Sequence, residues 1–422
     1  MRVAFATLGC KVNHYETQAM IALFQAAGDE IVSFDDQADA YIVNTCTVTQ
    51  ISDKKSRQLL SRAHRRNPNA RIVAVGCLGQ TNVADLKALG FVDLILGTTG
   101  RKSIVEQVRK LHSCHCEELI APQSEGGTTK QSSNAAFEEL SATHDTRTRA
   151  TLKIQDGCAN YCAYCVIPYA RGKPRSRTLE SVARELRALA NAGYREVVLT
   201  GINLAAFEPD LNDVIALAAS ISGLDRVRLG SLDPNIVTPR FVETCAASPN
   251  LCGQFHLSLQ SGCDTVLARM NRRYTTADYR AAVEILRSAM PDCAITTDLI
   301  AGFPGETEEE HAQTCAFIRE IGLARIHVFP YSKRPGTAAA SMSGHLPKAV
   351  KEQRARELLT IGKELEETFV QAQLGKQVTV LVEEDNCGYT PNYVRVRVPN
   401  APEGELITGC LIERKGTMAL MR

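Results

Sequence analysis

The sequence predicts an α/β protein in three parts. These are an N-terminal doubly wound parallel-sheet domain, a central partial, TIM-like (β/α)6 barrel, and a small C-terminal β-barrel. Three observations carry this. The chain has 422 residues, room for about three domains of roughly 150 residues each. Short apolar runs alternate with amphipathic stretches over residues 1–111 and again over 150–332, the pattern of parallel strands covered by helices. From residue 375 the period falls to two, as in short strands of a small barrel. A composition of 44% hydrophobic and 23% charged residues is that of a folded globular chain and excludes bulk disorder.

Taken in order, residues 3–8 form a strand ending at Gly9-Cys10, followed by an amphipathic helix near 13–27. A strand at 40–44 stops at Thr45-Cys46, and a helix from about 52 to 66 follows with Ser52 as N-cap. A strand at 71–75 stops at Gly76-Cys77, and a last one at 91–96 precedes a short helix to about 111. Residues 112–148, rich in Ser, Thr, Gly and Gln, read as a linker. Six strands are expected in the central domain, 149–346, at 151–154, 196–200, 226–229, 254–258, 294–300 and 325–328. Six βα units make an open barrel rather than a closed eightfold one. A charged helix at 347–374 connects to the C-terminal domain, 375–422, with apolar alternation at 378–382, 393–398 and 404–412.

No apolar run approaches the roughly 20 residues that span a bilayer. The opening MRVAFATLGCKVNHYE turns polar too soon for a signal peptide, so a cytoplasmic protein is expected. Fifteen cysteines are many for such a chain. In a reducing compartment they are metal ligands, nucleophiles or small buried residues rather than disulfides.

The sharpest signal is Cys158-x3-Cys162-x2-Cys165, directly after the first barrel strand. Three thiolates on one short loop can hold three irons of a [4Fe–4S] cluster and leave the fourth open. An open iron is what S-adenosylmethionine (SAM) needs, since its amino and carboxylate groups chelate it before an electron cleaves the sulfonium. A zinc loop is the competing reading. Structural zinc takes four protein ligands, and no fourth Cys or His is near. Cys10, Cys46 and Cys77 each stand just past a parallel strand, where strand ends meet at one crevice. Together they suggest a second cluster with one open iron. Of the other nine cysteines, Cys293 and Cys315 lie in apolar surroundings and are expected in the core, and Cys114 and Cys116 are a weak metal motif with His112 and His115.

Three words, Thr7-Leu8-Gly9-Cys10-Lys11-Val12-Asn13, Asn44-Thr45-Cys46-Thr47-Val48-Thr49 and Val75-Gly76-Cys77, resemble the N-terminal domain of the radical SAM methylthiotransferase family. The loop from Gly157 to Cys165, continued by Val166-Ile167-Pro168-Tyr169-Ala170-Arg171-Gly172, resembles that family's radical SAM domain, and 375–422 resembles its TRAM domain. The TLGCKVN word and Lys333-Arg334-Pro335-Gly336-Thr337 resemble the branch that modifies N6-threonylcarbamoyladenosine at position 37 of tRNA. This resemblance implies methylthiolation at adenine C2, with two [4Fe–4S] clusters and two molecules of SAM. One SAM methylates a sulfur on the auxiliary cluster. The other yields the 5′-deoxyadenosyl radical that removes the C2 hydrogen. Implied partners are the tRNA anticodon stem-loop, a reductant such as flavodoxin or ferredoxin, and a sulfur donor, with no membrane. The alternatives are the family's isopentenyladenosine branch and its ribosomal-protein branch.

The remaining strand ends would form the SAM pocket: Thr200, Gly201 and Asn203, then Ser258 and Gln260, then Asp298 and Gly302. Gly201 permits close backbone approach, and the polar side chains offer hydrogen bonds.

The net charge, 48 Lys and Arg against 47 Asp and Glu, argues alone against a nucleic-acid partner. It conceals local bias. Residues 54–71 hold seven basic residues and no acids, and 147–187 hold nine basic against three acidic. Arg171, Lys173, Arg175 and Arg177 follow the cysteine loop and are candidate phosphate contacts. Residues 375–422 balance six basic against six acidic, so Tyr393, Arg395 and Arg397 are candidate RNA contacts by placement. Reaching C2 requires the adenine to leave its stack.

Overall fold

The structure is a computed structural model that describes residues 1–113, 136–142 and 148–422. Most of the expected linker, Cys114, Cys116 and Arg147 lie outside the described residues. The chain divides into two compact units. One comprises the described parts of Met1–Asp145 with Gln155–Arg177 and Ser332–Thr337. The other comprises Thr146–Ile154, Thr178–Tyr331 and Ala338–Arg422.

In the first unit β1 (Arg2–Thr7), β2 (Glu30–Val32), β3 (Ala40–Thr45), β4 (Arg71–Gly76) and β5 (Leu94–Ile95) form one parallel sheet, ordered β2-β1-β3-β4-β5. Helices α1 (Lys11–Ala26), α2 (Gln50–Arg66), α3 (Cys77–Thr81), α4 (Val83–Lys87) and α5 (Ile104–Ser113) complete the domain. Strand alternation feeds two cores. Val3, Ile42 and Val73 pack with Phe24, Ile104 and Val108 on one face. Ala4, Tyr41 and Ile72 pack with Leu60 and Leu86 on the other. Burial of both faces explains why these strands read as unbroken apolar runs.

Three details differ from the sequence reading. Helix α2 starts earlier, because Thr49 rather than Ser52 is the N-cap, its hydroxyl accepting from Ser52 N at 3.1 Å. The short edge strand β2 was not anticipated, and the strand expected over 91–96 shrinks to Leu94–Ile95. The same unit includes the antiparallel pair β7 (Gln155–Asp156) and β8 (Arg175–Ser176), which brackets the cysteine loop and α6 (Ile167–Arg171).

In the second unit β6 (Arg149–Lys153), β9 (Glu196–Thr200) and β10 (Arg226–Leu229) form a parallel sheet. A second contains β11 (Ser231–Leu232), β12 (Gln254–Leu257), β13 (Ala294–Ala301) and β14 (Arg325–Pro330). A parallel bridge from Val227 to Leu251 joins them into a partial six-unit barrel. Gly230 divides the third strand in two; a Cβ there would stand 3.2 Å from the Leu199 carbonyl oxygen. Helices α7 (Leu179–Asn191), α8 (Leu211–Ala219), α9 (Pro239–Ala246), α10 (Asp264–Arg269), α11 (Thr276–Ala289) and α12 (Glu308–Ile321) alternate with the strands. Thr275 and Thr307 close capping boxes with Asp278 and Glu310.

Helix α13 (Lys348–Gln371) leads to a closed five-stranded barrel. Its strands are β15 (Gln377–Glu383), β16 (Cys387–Tyr389), β17 (Arg395–Arg397), β18 (Leu406–Lys415) and β19 (Met418–Met421), around Val380, Val382, Val396, Leu411 and Met421. This small barrel is bound tightly to the start of the partial one. Arg228 donates to the Thr390 and Pro391 carbonyls at 2.8 Å each, and to Glu196 at 2.7 Å. Arg226 donates to the carbonyls of Tyr389 and Thr379, and Arg149 pairs with Glu383 at 2.5 Å. Cys245, Cys252, Cys263 and Cys293 are buried, whereas Cys315, expected in the core, is half-buried with its Sγ 3.6 Å from His311 Nε2. Among the described residues no helix is long and apolar enough to cross a membrane.

Candidate functional site

Cys10, Cys46 and Cys77 stand at the carboxyl ends of neighbouring strands β1, β3 and β4, whose register pairs Thr7 with Asn44 and Thr45 with Gly76. Cys10 is the N-cap of the 16-residue helix α1, and its side chain makes no cap hydrogen bond there. Cys10 is exposed; Cys46 and Cys77 are buried. Burial pushes the Cys77 thiol up to about 11; Arg171 opposes this, and Cys10 and Cys46 add to it. Burial also raises Cys46, and Cys10 adds to that shift. Cys10 is thus within electrostatic reach of both buried thiols, and Cys46 of Cys77.

The loops that present them interlock. Gly9, at φ +108°, packs so closely that a Cβ there would lie 3.0 Å from Cys46 Sγ. Asn13 ties two loops together, its Nδ2 donating to the Leu8 carbonyl at 2.8 Å and the Thr45 carbonyl at 3.0 Å. Arg334, from the KRPGT word, donates to Thr47 Oγ1 at 2.6 Å and pairs with Asp53 at 2.8 Å, bracing the loop after Cys46.

Cys158, Cys162 and Cys165 lie on a separate turn. Gly157 opens it at φ +77°, where a Cβ would stand 2.1 Å from the Lys173 carbonyl oxygen. Cys158 N donates to the Gly172 carbonyl at 2.9 Å, Asn160 N to Cys158 Sγ at 3.4 Å, and Cys165 N to the Cys162 carbonyl at 2.9 Å. None of the six thiols is in a disulfide. Among the described residues no three His, Cys, Asp or Glu side chains are placed around a single metal ion. Two sets of three thiols outside disulfides suit the donor chemistry of an iron–sulfur cluster, which takes cysteine thiolates as ligands.

Arg171 is a correction. Expected on RNA, it is fully buried instead, because three groups hold it inside the first unit. It donates to Glu16 at 2.9 and 3.1 Å, to Asp156 at 2.9 Å and to Asn13 Oδ1 at 2.7 Å. Arg177 is also buried, 3.4 Å from the Tyr15 hydroxyl, and is likewise withdrawn from phosphate. Arg175 is half-buried and donates to the Arg171 carbonyl at 3.1 Å. Lys173 is exposed, as are Arg395 and Arg397. Tyr393 is half-buried, stacked on Tyr389 with ring centroids 4.6 Å apart and with the Arg228 guanidinium over it at 4.8 Å.

In the second unit the expected SAM residues gather at strand ends. Thr200 is buried, and Gly201, Asn203 and Ser258 are half-buried. Gln260 adopts φ +70°, rare outside glycine, and bridges to β13: its N donates to the Asp298 carbonyl, and Ile300 N donates to its carbonyl, both at 2.9 Å. Asp298 holds Gln260 through its backbone, while its carboxylate lies 3.4 Å from His256. Gly302 N donates to Glu306 at 2.8 Å, and Glu306 is paired with Arg354 at 2.9 Å. Sequence reasoning missed Asn13, Glu16, Glu306 and Arg354. Nothing in the local pattern marks them, because Arg171 and Arg354 reach Glu16 and Glu306 from 155 and 48 residues away.

Residues 152–318 match the radical SAM superfamily, and 2–97 match "Uncharacterized protein family UPF0004". The chain is 40% identical to threonylcarbamoyladenosine tRNA methylthiotransferase MtaB of Bacillus subtilis, with 93% of this chain and 89% of that one covered. It is 35% identical to the protein of that name from Aquifex aeolicus, covering 94% and 96%. It is 32% identical to tRNA-2-methylthio-N(6)-dimethylallyladenosine synthase of Lachnoclostridium phytofermentans, covering 97% and 92%. Among solved structures, the radical SAM methyltransferase TsrM from Kitasatospora setae shares the fold, with TM-score 0.61 and 15% identity over 80% of this chain and 73% of that one. The chain belongs to the radical SAM methylthiotransferase family. SAM and a [4Fe–4S] cluster come with that family's chemistry.

Proposed function

We propose that this enzyme methylthiolates C2 of N6-threonylcarbamoyladenosine beside the anticodon of tRNA. The observation that carries this reading is the 40% identity, over 93% of the chain, to a relative named for that reaction. Cys158, Cys162 and Cys165 would hold the SAM-binding cluster, and Cys10, Cys46 and Cys77 a second one. When bound, the two clusters and two molecules of SAM supply the radical that removes the C2 hydrogen and the methylthio group that replaces it.

The chain's own residues position and protect. Burial of Cys46 and Cys77 keeps water from two of the three auxiliary thiols. Thr200, Gly201, Asn203, Ser258, Gln260 and Gly302 would cradle SAM, and Asp298 would fix Gln260 through its carbonyl. Exposed Lys173, Arg395 and Arg397 would meet phosphates. The target adenine must be flipped from its stack to be reached. A reductant such as flavodoxin or ferredoxin and a sulfur donor complete the cytoplasmic reaction.

Mass spectrometry of tRNA nucleosides from cells lacking the gene tests this. Loss of 2-methylthio-N6-threonylcarbamoyladenosine is expected, and unchanged levels would overturn the substrate. A second reading, isopentenyladenosine as substrate, is favoured by the 32% identical dimethylallyladenosine relative. The same measurement separates the two.

A further inference from the structure

The interior of the partial barrel carries polar groups that none of the roles above uses. On β14, Ile326 turns toward α13, where Gly362 leaves room for it: a Cβ at that glycine would be 3.3 Å from Ile326 Cβ. Strand alternation puts His327 and Phe329 on the opposite, interior face. His327 pairs in register with Asp298, and His256 with Thr296. The His256 and His327 rings lie 6.0 Å apart. His256 Nδ1 is 3.1 Å from Thr296 Oγ1. Its Nε2 stands 3.4 Å from an Asp298 oxygen, and that nitrogen is buried with no hydrogen bond. Two residues beyond His327 on the same face, Phe329 is 48% exposed.

A buried ring nitrogen with no hydrogen bond calls for one. An exposed aromatic ring on the same face offers a base a surface to stack on. We infer that this face of β12, β13 and β14 reads the target nucleoside, with Phe329 under the adenine and His327, His256 and Asp298 hydrogen-bonding a carboxylate-bearing substituent on N6. The inference rests on the substrate proposed above. A threonylcarbamoyl group presents a carboxylate, a hydroxyl and urea-type N–H groups, matching a set that contains both donors and acceptors. An isopentenyl group presents none and would leave buried His256 Nε2 without a hydrogen bond in the complex. Sites built for hydrogen bonding reject analogues that lack the bonding group.

The test measures binding of the reconstituted holoenzyme to anticodon stem-loops carrying threonylcarbamoyl-, isopentenyl- or unmodified adenosine. His327→Phe should cut the preference for the threonylcarbamoyl loop by about tenfold while leaving iron content and affinity for the unmodified loop unchanged. His327→Gln, which keeps a donor, should retain most of the preference. Phe329→Ala should weaken all three loops alike. Wild-type preference in iron-replete His327→Phe would overturn the inference and leave the substrate reading standing; if that variant does not load iron, His256→Phe takes its place, and loss of preference there with most of it kept in His327→Gln supports the inference, whereas wild-type preference in His256→Phe overturns it. A wild-type enzyme that favours the isopentenyl loop would overturn the substrate reading, and the inference with it.

Discussion

Arg171 donates to both carboxylate oxygens of Glu16, and both side chains are fully buried. Glu16 lies on the helix that begins at Cys10, and Arg171 ends the helix that follows Cys165, so this pair joins the supports of both thiol sets. Arg101 reaches the same carboxylate at 3.1 Å, and Asp156 balances the second charge. Removing one partner of such a pair strands a buried charge. Arg171→Met should therefore cost about 3–5 kcal/mol of stability, read from urea denaturation, whereas exposed Lys173→Met should cost well under 1 kcal/mol. Equal losses would mean that burial of Arg171 carries no energetic weight.

The two thiol sets should load independently. Reconstituted enzyme should hold about eight irons, and replacing Cys10, Cys46 and Cys77 by Ala should leave about four, as should replacing Cys158, Cys162 and Cys165. Iron and sulfide assays of the three proteins decide this. Four irons in the unaltered enzyme would rule out two clusters.

Gly157 should be irreplaceable at its turn. Its positive φ and the Lys173 carbonyl oxygen leave no place for a Cβ. Gly157→Ala is expected to lose the cluster on the following loop while keeping the one on Cys10, Cys46 and Cys77, so iron should fall by about half. Full iron content would show that the turn can relax.

Glu310 gives the second unit an acid-sensitive joint. The Arg269 guanidinium, with help from Thr265 and the Thr307 N–H, holds its carboxyl down at about 2. A depressed carboxylate stabilises the fold above its unfolded value of about 4.3 and loses that contribution as pH falls toward the folded value. Glu310→Gln should thus destabilise by about 1 kcal/mol at pH 7 and by much less near pH 2. Urea midpoints at the two pH values measure the difference.

Arg228 should fix the C-terminal barrel. Arg228→Ala removes bonds to the Thr390 and Pro391 carbonyls and uncovers Glu196. Amide exchange in β16 and β17 should rise clearly, with that in β13 unchanged. Uniform exchange would place the effect elsewhere.

The layer order of the fold was legible because buried parallel strands and two-residue alternation leave unmistakable periods, as in residues 40–44 and 378–382. Cys158, Cys162 and Cys165 stand out in the sequence by their spacing, and Cys10, Cys46 and Cys77 by their place just past three strands, a placement that the fold keeps. Glu16, Asn13 and Arg354 were not. A buried charge is betrayed only by its partner, and Arg171 lies 155 residues from Glu16. The same ignorance of partners misplaced Arg171 and Arg177, since an arginine run looks alike whether it faces phosphate or a buried carboxylate. The extra strand β2 is too short for any period to reveal.

The three-segment make-up of the first unit has a consequence for synthesis. Arg334, which braces the loop after Cys46, leaves the ribosome 287 residues after Thr47. The loop after Cys46 therefore lacks its Arg334 brace until most of the chain has been translated. A cluster on Cys10, Cys46 and Cys77 would meet its finished surroundings only late in synthesis.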